Sequence, residues 1–491
     1  MQPLKVLLID PMTPYNDQMN LGLVSLGSYL DSLGYGTRIL DMNFHKQDAY
    51  SRLDKILEEL KPDVVGISIM SYFAFGEVKT LLRRLKERTR GRIVVGGASP
   101  SMFPEKMLAE NKEIDFLVFG EGELTLAELL EAVKGGTDGY AGVKGLAYRD
   151  GGRVVVNERR PPIMDLDTLP LLNFDLVDLV SNSGFKYYSD TYIMATSRGC
   201  PYNCSFCLSN ILCDRRWRPF SAKRVVDEIE NARKKYGLEY ISFQDDNFVM
   251  RPERVTEICR LIRERGLKIK LCLDGGIRAD RLTAESLREL SAAGMERGIL
   301  AVESGSPEVF KRMNKGETLE AVEKTLVMLQ EAGVSLQTFM ILGLPGDTHD
   351  TFLESMRFSR KHGVQCRWHF AFPFEGTAMY KYVEEHGRFL RSCKGYDIDV
   401  ISENDVTTPG TFPLAFDTPE YPAAQRIADY YYAVIDSDNI FYVSGARFKN
   451  RFLQLLRCVF LVLRYRPGKL PAYAWRFFSN KFKILRGLAG S

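Results

Sequence analysis

The sequence lacks the features of membrane-spanning and secreted proteins. None of its segments reaches the roughly 18 apolar residues that a bilayer-spanning helix needs. The N-terminal stretch MQPLKVLLIDP has neither a long apolar run nor a small-residue cleavage site, so it predicts a buried first strand and not a signal peptide. The nine cysteines are unevenly spaced, and none precedes Cys200. We therefore expect a cytoplasmic protein with reduced thiols.

Acidic residues are missing from one long segment. Residues 439–491 contain eleven Lys and Arg residues and no Asp or Glu, although the whole chain has a formal net charge of only +3. The rest of the chain is therefore net acidic, which argues against a globally basic nucleic-acid binder. The sequence has no short-period repeat and no low-complexity segment. Its 491 residues, 45% hydrophobic and 26% charged, are typical of a soluble globular protein with two or three domains.

Residues 1–139 alternate apolar runs with segments of helical periodicity. The runs are continuous, as in parallel strands that helices cover on both faces: KVLLID, GTRILD, DVVGISIM, RIVVGGAS and DFLVFGEG. This pattern predicts a doubly wound α/β domain, which binds ligands beyond the carboxyl ends of its strands. Residues 140–187 predict a hairpin around Asp150 and then a proline-rich linker.

Residues 188–390 show a second alternation of strands and helices. The strand candidates end in polar or glycine-rich segments: DTYIMATSRG, YISFQDDNF, IKLCLDGGI, RGILAVESGS, LQTFMILGLPG and CRWHFAFPFEG. Five or six such units predict a partial or full (β/α) barrel, whose active site lies at the carboxyl ends of the strands. Residues 391–491 predict a mostly helical region that is rich in basic and aromatic residues.

Three cysteines are crowded into the segment CPYNCSFC, where Cys200, Cys204 and Cys207 have the spacing C-x₃-C-x₂-C. A structural zinc site usually needs four ligands in two separated pairs. Here only Cys213 follows nearby, and no histidine does, so a zinc site fits poorly. Three thiolates can instead bind three irons of a 4Fe–4S cluster and leave the fourth iron open to a small molecule. Because the loop follows a barrel strand, we expect the open iron to face the barrel mouth.

The cysteine segment resembles the cluster loop of the radical S-adenosylmethionine (SAM) superfamily. In that family the open iron chelates SAM, and one electron from an external flavodoxin- or ferredoxin-type reductant cleaves SAM to a 5′-deoxyadenosyl radical. The segments QDDNF, VESGS and FMILGLPGDT are similar, in order, to the strand ends that bind SAM there, and Arg278 in GGIRAD ends a strand where it could pair with the SAM carboxylate. The resemblance implies no catalytic residue, and it places one of two aspartates at the methionyl amino group. It implies SAM contacts for Phe206, Asp245, Asp246, Arg278, Glu303 and Ser304.

The N-terminal domain resembles the cobalamin-binding domain that precedes the barrel in one class of this superfamily. The similar segments are MNLGLVSLGSYLDSLGYGTRILD, IVVGGASPSMFPEKM and DFLVFGEGELTLAELL. Related domains commonly ligate cobalt through a histidine in the loop after the first strand, but the matching loop here, DPMTPYN, has none. A domain that has lost cobalamin would show the same absence. If cobalamin binds, the resemblance implies that backbone and small side chains hold it at Leu21, Gly22, Ser68, Gly96, Gly97, Glu121 and Gly122.

The two domains together imply a cobalamin-dependent radical SAM methyltransferase. The 5′-deoxyadenosyl radical would take hydrogen from an unactivated substrate carbon, and methylcobalamin would supply the methyl group. One alternative is a cyclase or rearrangement enzyme that uses the same cofactors without methylation. Another is a cobalamin-binding sensor or an iron–sulfur structural protein. A methylthiotransferase is disfavoured, because that group has a second cysteine triad in its N-terminal domain and this chain has no cysteine before Cys200.

The basic tail has two interpretations. The segment RFLQLLRCVFLVLRYR is too short and too charged to span a bilayer. It could lie on the anionic inner face of a membrane, with Trp475, Phe477 and Phe478 in the interface, which would favour a lipid or isoprenoid substrate over a natural-product intermediate. The other interpretation is a helical cap on the barrel. Neither interpretation predicts nucleic-acid binding.

Overall fold

The computed structural model describes most of the two predicted domains. The residues described are 3–13, 19–70, 75–136, 139–177, 191–391, 393–395 and 414–436. The predicted basic tail, including its aromatic and apolar segments, lies outside the described residues. In the part of the chain that the structure describes, no helix is both long and apolar enough to cross a membrane.

Seven strands form the N-terminal sheet. They are β1 (Lys5–Asp10), β2 (Gly36–Asp41), β3 (Val64–Ser68), β4 (Arg92–Gly96), β5 (Phe116–Val118), β6 (Leu146–Asp150) and β7 (Arg153–Val156). The spatial order is β2-β1-β3-β4-β5-β6-β7, and the first five strands are parallel. The chain changes direction across the sheet between β1 and β3, and doubly wound sheets bind ligands at such a switch point. The predicted doubly wound fold is confirmed.

Six helices accompany these strands. They are α1 (Leu21–Ser32), α2 (Ala49–Leu60), α3 (Phe75–Arg88), α4 (Ala98–Met102), α5 (Pro104–Glu110) and α6 (Gly122–Lys134). The sheet is buried on both faces, so alternate β1 residues enter different cores: Leu7 packs with α2 and α3, and Leu8 packs with α1 and α6. This double burial explains why the strands are continuous apolar runs in the sequence.

The predicted hairpin is present, and it belongs to the first sheet. β6 pairs antiparallel with both β5 and β7. Gly151 and Gly152 connect the hairpin with φ of 52° and 86°, which is the positive-φ pair that a tight two-residue hairpin turn requires. The first sheet therefore continues past residue 139, and the following segment, 157–177, leads to the second sheet.

The second sheet is an open parallel barrel. Its six strands are β8 (Thr191–Met194), β11 (Tyr240–Phe243), β12 (Lys270–Ile277), β13 (Met295–Glu303), β14 (Ser335–Leu342) and β15 (Gln365–Phe370). Between β8 and β11 in the chain, β9 (Ser197–Arg198) and β10 (Arg218–Pro219) form a separate, short antiparallel pair. The order is β15-β14-β13-β12-β11-β8, so β15 and β8 are the two edges of a six-stranded sheet. The predicted barrel is thus a partial one, with one open side between its edge strands.

The helices that follow the barrel strands begin and end at residues typical of helix caps. They are α7 (Ser209–Leu212), α8 (Ala222–Tyr236), α9 (Pro252–Glu264), α10 (Ala284–Ala292), α11 (Pro307–Arg312), α12 (Leu319–Glu331), α13 (His349–His362) and α14 (Ala378–His386). Thr348 forms a capping box at the start of α13, and Gly363 ends that helix in the left-handed conformation. The apolar faces of these helices cover the outer face of the sheet.

A short C-terminal part packs on the open barrel. It contains β16 (Arg388–Phe389), β17 (Phe416–Asp417) and α15 (Ala423–Asp436). In α15, Asp429 accepts from His349 of α13 at 2.9 Å, and the fully buried Arg426 donates to the backbone carbonyl groups of Phe416 and Tyr421. This part of the chain therefore covers the barrel near β14 and β15.

We predict that Phe352→Ala lowers the thermal unfolding midpoint by about 6 °C or more, because it empties a core position worth about 3–5 kcal/mol. The Phe352 side chain is 1% exposed, and its ring packs edge-on against Trp368 of β15 with the ring centroids 5.5 Å apart. Circular dichroism during heating measures the midpoint. Val327→Ala on α12 is the control, since Val327 is 41% exposed and its replacement should leave the midpoint nearly unchanged. Equal midpoints for both variants would contradict this packing.

Candidate functional site

The loop with the three cysteines begins at Gly199, a position where only glycine fits. Gly199 has φ of 81°, and a Cβ atom at this residue would lie 2.2 Å from the carbonyl oxygen of Arg216. The chain therefore turns sharply after β9 and returns close to its own start. Backbone hydrogen bonds fix the loop further: Ser205 donates to the carbonyl oxygen of Met313, and Met379 donates to that of Ser205.

The three predicted cluster cysteines lie together as free, half-buried thiols. Burial raises the pKa of all three thiols, to about 11 for Cys204 and about 12 for Cys207. The thiols also act on one another, since the charge of Cys200 raises the pKa of both others. The raised pKa values keep the thiols protonated, so binding of a metal cluster as thiolates would release their protons.

The three thiols are one fewer than the four ligands of a structural zinc site. Among the described residues, no group of three or more Cys, His, Asp or Glu side chains converges on a point where one ion could bind. A zinc site needs such convergence, because all its ligands surround a single atom. A 4Fe–4S cluster does not need it, because each thiolate binds a different iron at its own corner. The three thiols match in number the three irons that a cluster with one open iron leaves to protein ligands.

The structure separates the two aspartates that the sequence could not distinguish. The Asp245 carboxylate is 2% exposed and accepts hydrogen bonds from the Thr196 backbone at 3.0 Å and the Ser197 hydroxyl at 2.6 Å. Asp246 instead accepts from the Ser209 hydroxyl at 3.1 Å and lines the cavity beside the cysteine loop. Asp245 therefore fixes the strand that leads into the loop, while Asp246 faces the open space.

Glu303 and Ser304 lie at the end of β13, and their side chains make different kinds of contact. Glu303 is a non-glycine residue with φ of 69°, an uncommon conformation of the kind found at binding sites. Burial raises the pKa of its carboxyl group, and the Lys315 ammonium, 3.9 Å away, opposes that rise. The Ser304 hydroxyl is buried, lies 3.3 Å from the Ser355 hydroxyl and accepts from the Ser306 backbone. Ser304 thus supports the turn, whereas Glu303 belongs to a charged cluster.

Lys315 is a residue that the sequence analysis missed. Its side chain is 6% exposed, and its Nζ lies 2.8 Å from Glu317 and donates to the carbonyl oxygen of Ala301. The positive charge of Lys315 also acts on the Cys204 thiol, whose pKa it lowers against the larger effect of burial. In the sequence, Lys315 stands in an Asn-Lys-Gly turn between two helices, where a buried lysine looks like any exposed one.

Arg278 supplies a cation with spare hydrogen-bonding capacity. Its guanidinium lies 3.3 Å from the ring centroid of Tyr202, within the cysteine loop, and its Nε lies 2.7 Å from Asp280. The residue is 6% exposed, and its buried Nη2 has no hydrogen-bond partner among the described residues. A buried donor without a partner is costly unless a ligand satisfies it, so this position suits a carboxylate. Phe206, the remaining predicted SAM contact, is half-buried and packs against the main core.

A cavity of about 450 Å³ lies between the two sheets. The N-terminal domain contributes all seven predicted cobalamin residues to its lining, namely Leu21, Gly22, Ser68, Gly96, Gly97, Glu121 and Gly122. The barrel contributes Gly199 and Cys213 from the cysteine region and Asp246 from the end of β11. Asn20 also lines the cavity: it caps α1 and donates to Asp10 and Ser68, both at 3.0 Å. The two sheets therefore direct their ligand-binding edges toward one shared space.

Four charged residues join the domains beside this cavity. Arg198, just before the cysteine loop, donates to Glu123 at 2.6 Å and to Glu121 at 3.2 Å. Arg218 donates to both oxygens of Glu121, at 2.8 Å and 3.0 Å. Burial alone would raise the pKa of Glu123, but Arg198 outweighs it, so that pKa lies below its usual value. The Glu121 carboxylate, predicted to contact cobalamin, is thus engaged by two arginines.

We predict that Glu123→Ala destabilises the protein by about 3–5 kcal/mol, because it leaves the charge of Arg198 buried without its closest partner. The unfolding midpoint in urea should fall clearly. Glu105→Ala on α5 removes an exposed carboxylate and should change the midpoint little. The difference between wild type and Glu123→Gln should shrink as the pH falls through the lowered pKa of Glu123, because the wild-type carboxylate is then neutral too. A pH-independent difference would argue against the ion pair.

Comparison with known proteins identifies both domains. Residues 12–130 match the B12 binding domain, and residues 194–359 match the Radical SAM superfamily. An uncharacterized methyltransferase of Pyrococcus horikoshii is 29% identical over 78% of this chain and 83% of that relative. An anaerobic magnesium-protoporphyrin IX monomethyl ester cyclase of Cereibacter sphaeroides is 27% identical over 63% of this chain, which spans only about half (51%) of the cyclase.

A solved structure shows the same fold over most of the chain. The radical S-adenosylmethionine methyltransferase TsrM from Kitasatospora setae, with cobalamin and a [4Fe-4S] cluster bound, superposes with a TM-score of 0.72 and 20% identity, covering 88% of this chain and 91% of TsrM. At this identity the likeness concerns the fold. The two family matches show that the chain has a B12-binding domain followed by a radical SAM domain, and the cofactors of these domains are cobalamin, a 4Fe–4S cluster and SAM.

Proposed function

We propose that the protein is a C-methyltransferase that acts on an unactivated carbon of a small molecule and draws electrons from an external one-electron reductant. The observation that carries this proposal is the shared cavity, which the predicted corrinoid residues and the residues beside the cysteine loop line together. A transfer between two cofactors needs both next to the substrate in one water-poor space. A sensor or structural protein has no need of that arrangement.

When bound, the cluster and SAM supply a radical that removes hydrogen, and cobalamin supplies the methyl group. In this proposal the thiolates of Cys200, Cys204 and Cys207 each bind one iron. Cys213 lies in the cavity lining and remains a free thiol. Gly199 lets the start of the loop pack against the backbone of Arg216, where a larger residue would not fit.

The charged residues around the loop bind the methionine and ribose parts of SAM in this proposal. Asp246 accepts from the ammonium group, since the Asp245 carboxylate already accepts hydrogen bonds from Thr196 and Ser197. The Arg278 guanidinium, with its unsatisfied Nη2, donates to the carboxylate. Glu303 accepts from the ribose hydroxyl groups, and Lys315 balances its charge. These contacts fix the position of SAM, and none of them moves a proton.

The corrinoid lies in this proposal along the carboxyl edge of the N-terminal sheet. Gly97, with φ of 107°, allows the chain to pass within contact distance of Ile69 at this edge. The loop after β1 has no histidine, so this chain offers no imidazole there to ligate cobalt. Arg198 and Arg218 hold this edge against the barrel through Glu121 and Glu123, which keeps the distance between the two cofactor sites fixed.

Cyclisation or rearrangement with the same cofactors is the second candidate. It is favoured by one observation, the 27% identity to the magnesium-protoporphyrin ester cyclase over 63% of this chain. The two candidates differ in the fate of the methyl group of SAM. A methyltransferase passes that group to the corrinoid, whereas a cyclase leaves it on methionine. This difference can be measured without knowing the substrate.

We predict that the anaerobically reconstituted protein contains about four irons and one corrinoid per chain, and that deuterated-methyl SAM labels the corrinoid with a deuterated methyl group under reducing conditions. Cys204→Ala should lose most of the iron and all SAM cleavage. Cys213→Ala is the matched control and should keep both, because Cys213 is not a proposed ligand. Iron and SAM cleavage without corrinoid labelling would reject methyl transfer in favour of the cyclase. Retention of the cluster by Cys204→Ala would reject the cysteine assignment.

We propose in addition that the basic tail contacts membranes. Its eleven basic residues and no acidic ones in residues 439–491, interleaved with aromatic residues, are suited to an anionic lipid surface. The full-length protein should bind phosphatidylserine-containing vesicles at low salt in a sedimentation assay. Binding should weaken in 0.5 M salt, because the Debye screening length of the charges is only ~10 Å already at 0.1 M. Deletion of residues 439–491 should weaken it as well. Absence of binding at low salt would reject the membrane contact.

A further inference from the structure

Two arginines lie against the outer side of the cysteine loop, at the segment between its first two cysteines. The Arg215 Nε lies 3.4 Å from the carbonyl oxygen of Pro201. The Arg281 Nε donates to the Tyr202 hydroxyl at 2.6 Å. The next residue, Asn203, is exposed. The proposed cluster site is therefore separated from solvent on this side by one short segment, and arginines border that segment.

The turn that contains Arg215 has an unusual backbone. Asp214 and Arg215 have φ of 49° and 54°, so two consecutive residues other than glycine are in the left-handed conformation. The turn also packs on the start of the cysteine loop, where the carbonyl oxygen of Arg216 faces Gly199. A glycine would adopt the conformation of Arg215 without strain, so the backbone does not explain the arginine. Uncommon conformations of this kind occur at binding sites.

The turn after α11 brings another cation to the same surface. Its Asn314 side chain donates to the carbonyl oxygen of Asn203 at 3.1 Å, which joins this turn to the cysteine loop. Three residues earlier, at the end of α11, Lys311 is exposed. The basic rim of the loop is defined here as Arg215, Arg216, Arg281 and Lys311.

Most of the positive charge of the basic rim is not neutralised. Within the described part of the chain, Arg281 is the only rim residue that makes an ion pair, with Asp280 at 3.5 Å. Asp214, the acidic residue of the strained turn, is itself paired with Arg159 at 3.2 Å. A group of exposed, unpaired cations attracts negatively charged molecules over about a Debye length, ~10 Å at 0.1 M salt.

We propose that the basic rim docks a small acidic electron-carrier protein of the flavodoxin or ferredoxin type. The carrier gives up one electron, the cluster at the three cysteines takes it up, and no bond forms or breaks in this step. The proposal rests on the proposed function, which needs such a reductant. The position of the rim on the cysteine loop argues for an electron carrier, because a nucleic acid or a membrane has no need to approach the cluster. Complementary charge speeds the encounter and orients the carrier.

Binding is tested by titrating oxidised flavodoxin into the reconstituted holoenzyme in a calorimeter, where no electron is transferred. We expect binding at low salt that weakens clearly as salt is added. The double variant Arg216→Glu/Lys311→Glu should bind about tenfold more weakly or worse, because it reverses two rim charges. Neither side chain makes an ion pair among the described residues, so the fold should tolerate the change.

The matched control reverses two exposed cations elsewhere on the barrel, in Lys268→Glu/Arg288→Glu. Lys268 lies just before β12, at the amino end of the strands and away from the cysteine loop, and Arg288 lies on α10. This variant changes the net charge by the same amount, so a general charge effect would weaken its binding equally. We expect it to bind flavodoxin like the wild type.

Electron delivery is measured separately through SAM cleavage with two reductants. Flavodoxin hydroquinone must dock before it passes an electron, whereas dithionite is a small molecule that needs no docking surface. The Arg216→Glu/Lys311→Glu variant should lose about tenfold or more of the flavodoxin-driven rate and keep the dithionite-driven rate. If it loses both rates, Arg216→Gln and Lys311→Gln, which remove the charges without reversing them, are compared in the same calorimetric titration.

Three results would overturn the docking proposal. In the first, neither flavodoxin nor ferredoxin binds the wild-type holoenzyme at low salt. In the second, the rim variants bind the carrier as tightly as the wild type. In the third, the rim variants lose binding to phosphatidylserine vesicles while their affinity for the carrier is unchanged, which would assign the rim to a membrane. A wild type that cleaves no SAM with dithionite would instead reject the proposed function, and the titration would still decide the docking.

Discussion

The ion pairs between Arg198, Arg218, Glu121 and Glu123 are the constraint on which the rest of the site depends. Buried ion pairs often add little net stability, because removing four charges from water offsets most of their attraction. Their effect here is positional: both arginines stand next to the cysteine loop, and both glutamates stand at the edge of the other domain where we propose that the corrinoid binds. A shift of either domain would leave buried charges without partners, so the two cofactor edges are held at one separation.

That separation produces the shared cavity. A doubly wound sheet and a (β/α) barrel both bind ligands at the carboxyl ends of their strands, so two such edges facing each other enclose a single reaction space. The cavity lies at the carboxyl ends of the strands of both sheets, and the C-terminal part of the described chain packs elsewhere on the barrel, near β14 and β15.

Local patterns in the sequence predicted both folds and the cysteine loop. The strands of both sheets are recognisable as apolar runs, and the hairpin turn as Gly151-Gly152, because these features depend on neighbouring residues alone. The roles of Asp245 and Asp246 could not be separated in this way. They are adjacent in the chain. Only the folded structure shows that Thr196 and Ser197, before the loop, donate their hydrogen bonds to the Asp245 carboxylate. Lys315 was not predicted as a site residue, because the sequence of a turn does not show whether its lysine is buried or exposed.

Fold class, cysteine spacing and the lack of a histidine in the first loop can be read from the sequence, since these need no long-range contact. Three features depend on the folded chain: Glu121 contacts two arginines some 75 to 100 residues away, the hairpin joins the first sheet, and Asp246 lines the shared cavity. The physical reason is that charge pairing, sheet edges and strand direction arise from residues far apart in the chain. Packing of the folded chain brings these residues into contact, and a local sequence pattern holds no information about such contacts.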